Sequence, residues 1–494
     1  MAIWIDEFFF AEGETVLLRE AVAASGGAAV VAGTTHNRIF QLKSYQQPDR
    51  MDVMWTGQQG CYEAFKRRLN ASHSVSCVPG AQAVTGKASL VGSLQAAYGE
   101  GAWGIVPRSF RLPQQYSDMV AHLKQEQRSG RSGLWVLKED VHRGKGVGVA
   151  TPSQALARAL EPAPGDRRGL RHVLAQRFLG DQYLVGGRPF YIRVWAVVLG
   201  ADPARAYQFG GGVVVFGQQQ RAGQAADSLI VNLWTQDRAA AAPWSLQQLE
   251  QHLEAETGGS ETPQRLRRQL HAAVAASLAA ALPTVRRAAD QLAGFQGGSF
   301  EVLGVDFMVD ASLRPWLVEV NRLPSMARKV VACASNATAG GDDGDGGGRC
   351  EQDVPFDVQK ERFIGALLQL LMHRHSQHAG LAQQAEQLLQ AASDVALEEE
   401  QPPCLDAAQL QQLLAMQAEQ AEAERLGFVP LTTQLYRSLE CMATQPSSSN
   451  GSNPCDLRPS DERLLAWMQH GSHAIASLQA LRDFCNGSRG AAAQ

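Results

Sequence analysis

Two acidic residues set in otherwise apolar strands, Asp306 and Glu319, are the side chains whose type and spacing point most directly to chemistry. Segment 301–322 reads E-V-L-G-V-D-F-M-V-D-A-S-L-R-P-W-L-V-E-V-N-R, two apolar runs around a short polar turn near Asp310–Pro315. In the first strand Leu303, Val305, Phe307 and Val309 share one face, and Gly304, Asp306 and Met308 the other. In the second, Trp316, Val318 and Val320 share one face, and Leu317, Glu319 and Asn321 the other. A turn centred on Ser312-Leu313 sets Asp306 directly opposite Glu319. Facing carboxylates repel and are costly to desolvate. A divalent cation between them, with Asn321 adding a neutral oxygen, answers both problems. All-oxygen ligands favour Mg²⁺, usually shared with substrate phosphates. The competing reading is a solvent-exposed strand edge with both acids hydrated.

Segment 134–149, L-W-V-L-K-E-D-V-H-R-G-K-G-V-G-V, supplies the complementary charge. An apolar strand ends in Lys138, a turn carries His142 and Arg143, and Gly144, Gly146 and Gly148 alternate after it. Glycines let main-chain N–H groups approach phosphate oxygens, and Lys138, Arg143 and Lys145 neutralise them. No helix follows at once, so this is neither a Walker A loop nor a Rossmann fingerprint. Alone, such a hairpin means only a turn. Beside a Mg²⁺ site it becomes the other half of a nucleotide site.

Segment 176–199 holds a third element. Gln176, Arg177, Phe178 and Leu179 form a short extended linker whose main chain would hydrogen-bond an adenine edge. Arg193 sits inside the apolar alternation Phe190–Val198 and needs an anion: a protein carboxylate, or a phosphate or substrate carboxylate. Local charge favours an anionic partner. Residues 107–145 carry eight bases and four acids, and residues 166–193 six bases and two acids.

The elements that must position these groups belong to a chain of 494 residues, 45% hydrophobic and 19% charged, which excludes wholesale disorder. A net charge of −4 speaks against a general polyanion binder, so no nucleic-acid partner is expected. The eight cysteines form no C-x-x-C pair and fit neither a zinc site nor a dense disulfide framework. No secretory signal is evident at Met1, and the Ala-rich run His271–Val285 is too short to span a bilayer. The expectation is a reduced, soluble, intracellular protein without a membrane partner, its sequons at Asn70, Asn336, Asn450 and Asn486 arising by chance.

Strands are expected at Ala28–Ala32 and Met51–Trp55, and helices at Glu63–Leu69, Ser89–Tyr98, 245–295 and 356–373. Residues 334–353 and 444–460 read as loops. Residues 381–440 hold ten acids against two bases and read as helices that pack on the body or project from it, without site chemistry.

The ordered motifs W-V-L-K…R-G-K-G-V-G, Q-R-F-L, G-R-P-F-Y-I-R-V and F-E-V-L-G-V-D-F-M-V-D…R-P-W-L-V-E-V-N resemble the tubulin–tyrosine ligase family. Segments 79–91 and 107–113 are similar to the family's entry segments, and the resemblance runs from about residue 70 to 373. It implies an α/β (α+β), ATP-grasp-like fold, with the nucleotide between two sheet-containing domains and an added helical C-terminal region. The implied division is an N-terminal α/β domain at 1–105, a central ATP-grasp domain at 106–199, a C-terminal ATP-grasp domain at 200–373 with the insertion 334–353, and an acidic appendage at 374–494. The implied activity joins an amino acid to a tubulin-tail carboxylate with ATP and Mg²⁺, in the cytoplasm and in association with cytoskeleton or cilium.

By the same resemblance, Lys138 binds ATP phosphates beneath the glycine loop of Arg143, Gly144 and Gly146, and Lys87 faces the same site. Gln176 to Leu179 contact adenine, Arg193 faces phosphate or the acceptor carboxylate, and Asn232 lies near nucleotide and metal. Asp306, Glu319 and Asn321 hold Mg²⁺. The chain departs from the family pattern K-F-D-L-R at Pro189 and Tyr191, from R-E-G at Gly210-Gly211-Gly212, and from H-L-T-N at Leu229-Ile230-Val231. These departures leave open a nucleotide- or tubulin-binding member that does not turn over, and an ATP-grasp ligase with another acceptor.

Overall fold

The computed structural model describes residues 2–6, 15–26, 28–32, 52–57, 61, 73–141, 146–164, 169–217, 242–292, 298–328, 331–332, 349–350, 355–399, 404–443 and 457–470, with 479, 481–482 and 484–485 near the C-terminus. Strands β1 (Ala2–Asp6), β2 (Ala28–Ala32), β3 (Val53–Trp55) and β4 (Ser74–Val75) run parallel at one side of the main sheet. Strands β5 (Ser109–Arg111), β6 (Trp135–Glu139), β7 (Val147–Ala150) and β8 (His172–Arg177) form a separate four-stranded sheet in the order β5-β8-β6-β7. The centre of the main sheet is antiparallel: β9 (Phe190–Ala201) lies between β10 (Ala204–Phe216) and β12 (Gly298–Val309). Strand β11 (Trp244–Ser245) edges β10, and β13 (Pro315–Arg322) folds back on β12. Val331–Ala332 and Arg349–Cys350 pair as a short ribbon, β14 and β15, and β16 (Phe428–Pro430) adds to β10.

Beyond Arg193, strand β9 is apolar on both faces because both are covered. Ile192, Val194 and Ala196 face one core, with Leu270, Val274 and Leu278 of helix Glu261–Asp290. In that helix apolar residues recur every fourth position from Leu266 through Leu282, and its Ala-rich middle, from Ala273 to Leu282, is buried on nearly every side. On the other face Trp195, Val197 and Leu199 meet Phe363, Ile364 and Leu367 of helix Pro355–Glu399. There the Trp195 ring stacks on Phe363 at 5.5 Å between centroids. A third, smaller core under the four-stranded sheet gathers Phe110, Met119, Trp135 and Leu137.

The expected strands β2 and β3 form, and Ser89–Tyr98 lies within helix Lys87–Tyr98. The helical stretch 245–295 is two helices, Leu246–Thr257 and Glu261–Asp290, separated where Gly258 takes a left-handed conformation at φ 72°. Glu63–Leu69 lies outside the described residues.

Other features differ from expectation. The hairpin register holds from Leu303↔Arg322 to Asp306↔Glu319 and then slips at a bulge, so Phe307 pairs with Leu317. The extra residue, Val318, turns Leu317 onto the buried face with Phe307 and Val320, away from Glu319. The expected helix 356–373 extends unbroken over Pro355–Glu399, since nothing in its Gln-, Ala- and Leu-rich continuation breaks it before Pro402. The acidic C-terminal region packs on the body and also supplies β16. Its Glu419 is buried against the main sheet, accepting from Arg205 Nε and Tyr207 Oη at 2.8 Å each and pairing with Arg374 at 3.0 Å. The cysteines are not all reduced: the fold joins Cys61 to Cys77 and Cys404 to Cys485, pairs that only tertiary structure brings together. Among the described residues no helix is long and apolar enough to cross a membrane.

Candidate functional site

The seam between the small sheet and the β12–β13 hairpin collects the charged groups. Strand β6 turns Leu137 into the small core, and Lys138, only 5% exposed, points the other way. Its Nζ donates to the Val318 carbonyl at 3.1 Å, at the hairpin bulge. Burial pushes this ammonium down to about 8; Glu319 and Asp306 oppose the shift and Lys87 adds to it. Lys87 opens helix Lys87–Tyr98, and its Nζ donates to Val141 O at 2.6 Å and lies 3.3 Å from Glu319 Oε1.

Arg193 and Asp306 are directly paired across β9 and β12. The guanidinium closes bidentately on the carboxylate: Nε donates to Oδ1, and Nη2 to Oδ2 at 2.7 Å. Of the anions open to Arg193, a protein carboxylate is the one it meets. Burial opposes the Arg193 cation, but the charge and hydrogen bonds of Asp306 outweigh it and hold the group above its ordinary pKa. Asn321 Nδ2 donates to Asp306 Oδ2 at 3.0 Å. Thus Asp306, Glu319, Asn321, Arg193, Lys87 and Lys138 converge on one region, reached from five different elements.

Tyr191 belongs to this region as well. Burial pushes its phenol up, with Arg193 opposing and Asp306 and Glu319 adding to the shift. Sequence reasoning also passed over Glu301, 1% exposed on β12. It accepts from Arg322 Nε at 2.8 Å and from Val78 N at 3.1 Å, and so ties the hairpin to the segment that leads to Lys87. Its signal was an acid at the start of an apolar strand.

The remaining candidates are placed as follows. Gln176 is buried, with Nε2 donating to Ser109 Oγ at 3.0 Å. Arg177 is committed to Glu126, and the N–H groups of Arg177 and Phe178 donate to Arg108 O and Leu134 O. Leu179 O accepts from Gln182 Nε2 at 2.8 Å. Gly146 closes the β6–β7 turn at φ 68°, where a Cβ would lie 2.6 Å from Glu139 Cβ. Arg143, Gly144 and Asn232 lie outside the described residues.

Among the described residues no three His, Cys, Asp or Glu side chains group as a metal site. The donor set of Asp306, Glu319 and Asn321 nevertheless fits a hard cation that completes its shell with water or phosphate oxygens. A cavity of about 760 Å³ lies elsewhere, at the outer edge of β10 beside Gly210, Gly211, Arg267, Gln359 and Arg362. Its floor is the glycine run, where β10 slips register against β9 between Gln208 and Gly212.

The model of the tubulin-tyrosine ligase family matches residues 67–335, over half of the chain. Similar curated proteins include tubulin polyglutamylase ttll6 of Danio rerio, 24% identical over 241 residues, covering 45% of this chain and 29% of the relative. Tubulin polyglutamylase TTLL13 of Mus musculus is 24% identical over 310 residues, covering 58% and 36%. Probable tubulin polyglutamylase TTLL9 of Bos taurus is 28% identical over 170 residues, covering 33% and 35%. The chain spans about a third of the length of these relatives.

Proposed function

Because this chain belongs to the tubulin-tyrosine ligase family and has a mixed α/β, ATP-grasp-like fold, we propose that it is an ATP- and Mg²⁺-dependent ligase joining an amino acid to a tubulin-tail carboxylate. The observation that carries this reading is the pairing of Asp306 with Glu319 beside the buried Lys138. The names of the relatives favour glutamate as the added residue and the microtubule cytoskeleton as the setting. The division at residues 105, 199 and 373 is kept as part of the proposal, with β9 running across 199 and helix Pro355–Glu399 across 373 as elements shared by neighbouring parts, and with the nucleotide lying between the small sheet and the hairpin.

In this reading the tail carboxylate attacks the γ-phosphorus of ATP, an O–P bond forms, and ADP leaves. The amine of the incoming amino acid then attacks the acyl carbon, phosphate departs, and the nitrogen loses a proton. Lys138 and Lys87 neutralise phosphate charge, and the turn at Gly146 brings main chain close to it. Arg193 orients a phosphate or the acceptor carboxylate. When bound, Mg²⁺ held by Asp306, Glu319 and Asn321 would add charge neutralisation at the phosphates. No covalent enzyme nucleophile is needed.

A second reading, a nucleotide- or tubulin-binding protein without turnover, is favoured by the closed Arg193–Asp306 pair and by Pro189, Tyr191 and the glycines at 210–212. Incubation with Mg-ATP, tubulin and amino acids discriminates. ADP release coupled to incorporation supports the ligase; ATP binding without ADP supports the binder; incorporation only into other proteins supports another acceptor.

A further inference from the structure

A cation must use the lone pairs of Asp306, and in this protein three N–H donors already take three of about four such sites. Two come from the Arg193 fork and one from Asn321 Nδ2. The pair is sheltered from solvent: the side chains of Arg193 and Asp306 are 16% and 13% exposed. Water therefore does not readily replace either partner, and with the guanidinium held against both oxygens an incoming divalent ion meets like charge and finds most of the acceptor sites taken. The other two cations behave differently. Lys87 lies against one oxygen of Glu319 and also donates to Val141 O, and Lys138 donates to a main-chain carbonyl. Of these three cations, only Arg193 covers both oxygens of its carboxylate partner.

A polyphosphate is the ligand suited to lift this block. It offers the planar fork the same two-point acceptance with higher charge density than a carboxylate. We propose that Arg193 is a latch: it keeps Asp306 closed to divalent cations until an incoming polyphosphate takes its guanidinium. Cation and nucleotide binding are then coupled, each raising the other's affinity by the same factor. The inference rests on the nucleotide reading given above and adds to it an order of events.

The test uses Mn²⁺ as the probe on the purified full chain without nucleotide, with free Mn²⁺ followed by electron paramagnetic resonance. Wild type should bind Mn²⁺ weakly, and Arg193→Met should bind it at least about tenfold tighter, the scale of a typical coupling between sites. Arg193→Lys should fall between, because it keeps the charge but covers only one oxygen. Since Arg193→Met leaves Asp306 unpaired, the lysine variant carries the test alone if the methionine variant does not fold. Affinity in the lysine variant equal to wild type overturns the latch, because charge alone would then explain the effect. So does Arg193→Met binding no tighter than wild type. A parallel titration of wild type with a fluorescent non-hydrolysable ATP analogue separates the two ideas. Absence of analogue binding overturns the nucleotide reading and the release step with it. Analogue binding together with unchanged Mn²⁺ affinity in the variants overturns the latch alone.

Discussion

Glu319 stands opposite Asp306 across the β12–β13 hairpin, and each carboxylate is met by a different cation, Asp306 by Arg193 and Glu319 by Lys87 at 3.3 Å. The repulsion inherent in the pairing is thus balanced by cations from β9 and from the start of helix Lys87–Tyr98. The result is a mixed-charge cluster that a phosphate or a divalent ion can rearrange.

Glu319→Gln should weaken Mg-ATP binding by roughly 10–100-fold, the scale of one lost contact to a charged group. The fold should survive, because Glu319 is 29% exposed and its loss relieves like-charge repulsion at Asp306. Calorimetric titration with Mg-ATP, alongside a thermal melt, checks both halves.

Lys138 gives the site a pH dependence. Its pKa of about 8 lies below the ordinary 10.5. Phosphate affinity should decline as pH climbs through that value and the ammonium is lost. Stability should move the other way. Between the two pKa values the unfolded chain binds more protons than the folded one, so this group makes folding more favourable as pH rises. Lys138→Met should flatten both profiles, measured by nucleotide titration and urea unfolding from pH 7 to 10.

Glu419→Ala should destabilise the protein by about 3–5 kcal/mol, because it leaves Arg205 buried without its partner. Burial works against the Glu419 charge, but Arg205 and Arg374 outweigh it and hold its pKa below the ordinary 4.5. Its contribution is therefore complete above that value and is lost as pH falls through the lowered folded pKa. Urea unfolding of wild type and variant, at neutral pH and in acid, reads both effects.

Gly146→Ala should destabilise the β6–β7 turn by roughly 1–3 kcal/mol, since an added Cβ meets both a left-handed backbone and two neighbouring side chains. Hydrogen exchange should rise at Glu139 N–H, which donates to Gly146 O at 2.7 Å.

The hairpin was legible because strand alternation and one polar turn define its register, and Asp306↔Glu319 pairs as expected. The slip beyond it was not, because the bulge at Val318 is set by what packs on either side. Arg193 announced its need for an anion, but the choice of Asp306 depends on β9 lying next to β12, a long-range pairing. The convergence of Lys138 with the hairpin likewise needs two sheets brought together, and the family motifs, not periodicity, pointed to it. Strand β16 was hidden by its length, Phe428–Pro430, within a helical composition.

Intact-mass analysis of tubulin incubated with this protein, Mg-ATP and each amino acid in turn tests the central claim most directly. The proposed ligase predicts ATP-dependent increments of one amino-acid residue, glutamate first among them, that Glu319→Gln eliminates. Unchanged tubulin mass with every amino acid, or increments that persist in Glu319→Gln, would contradict it.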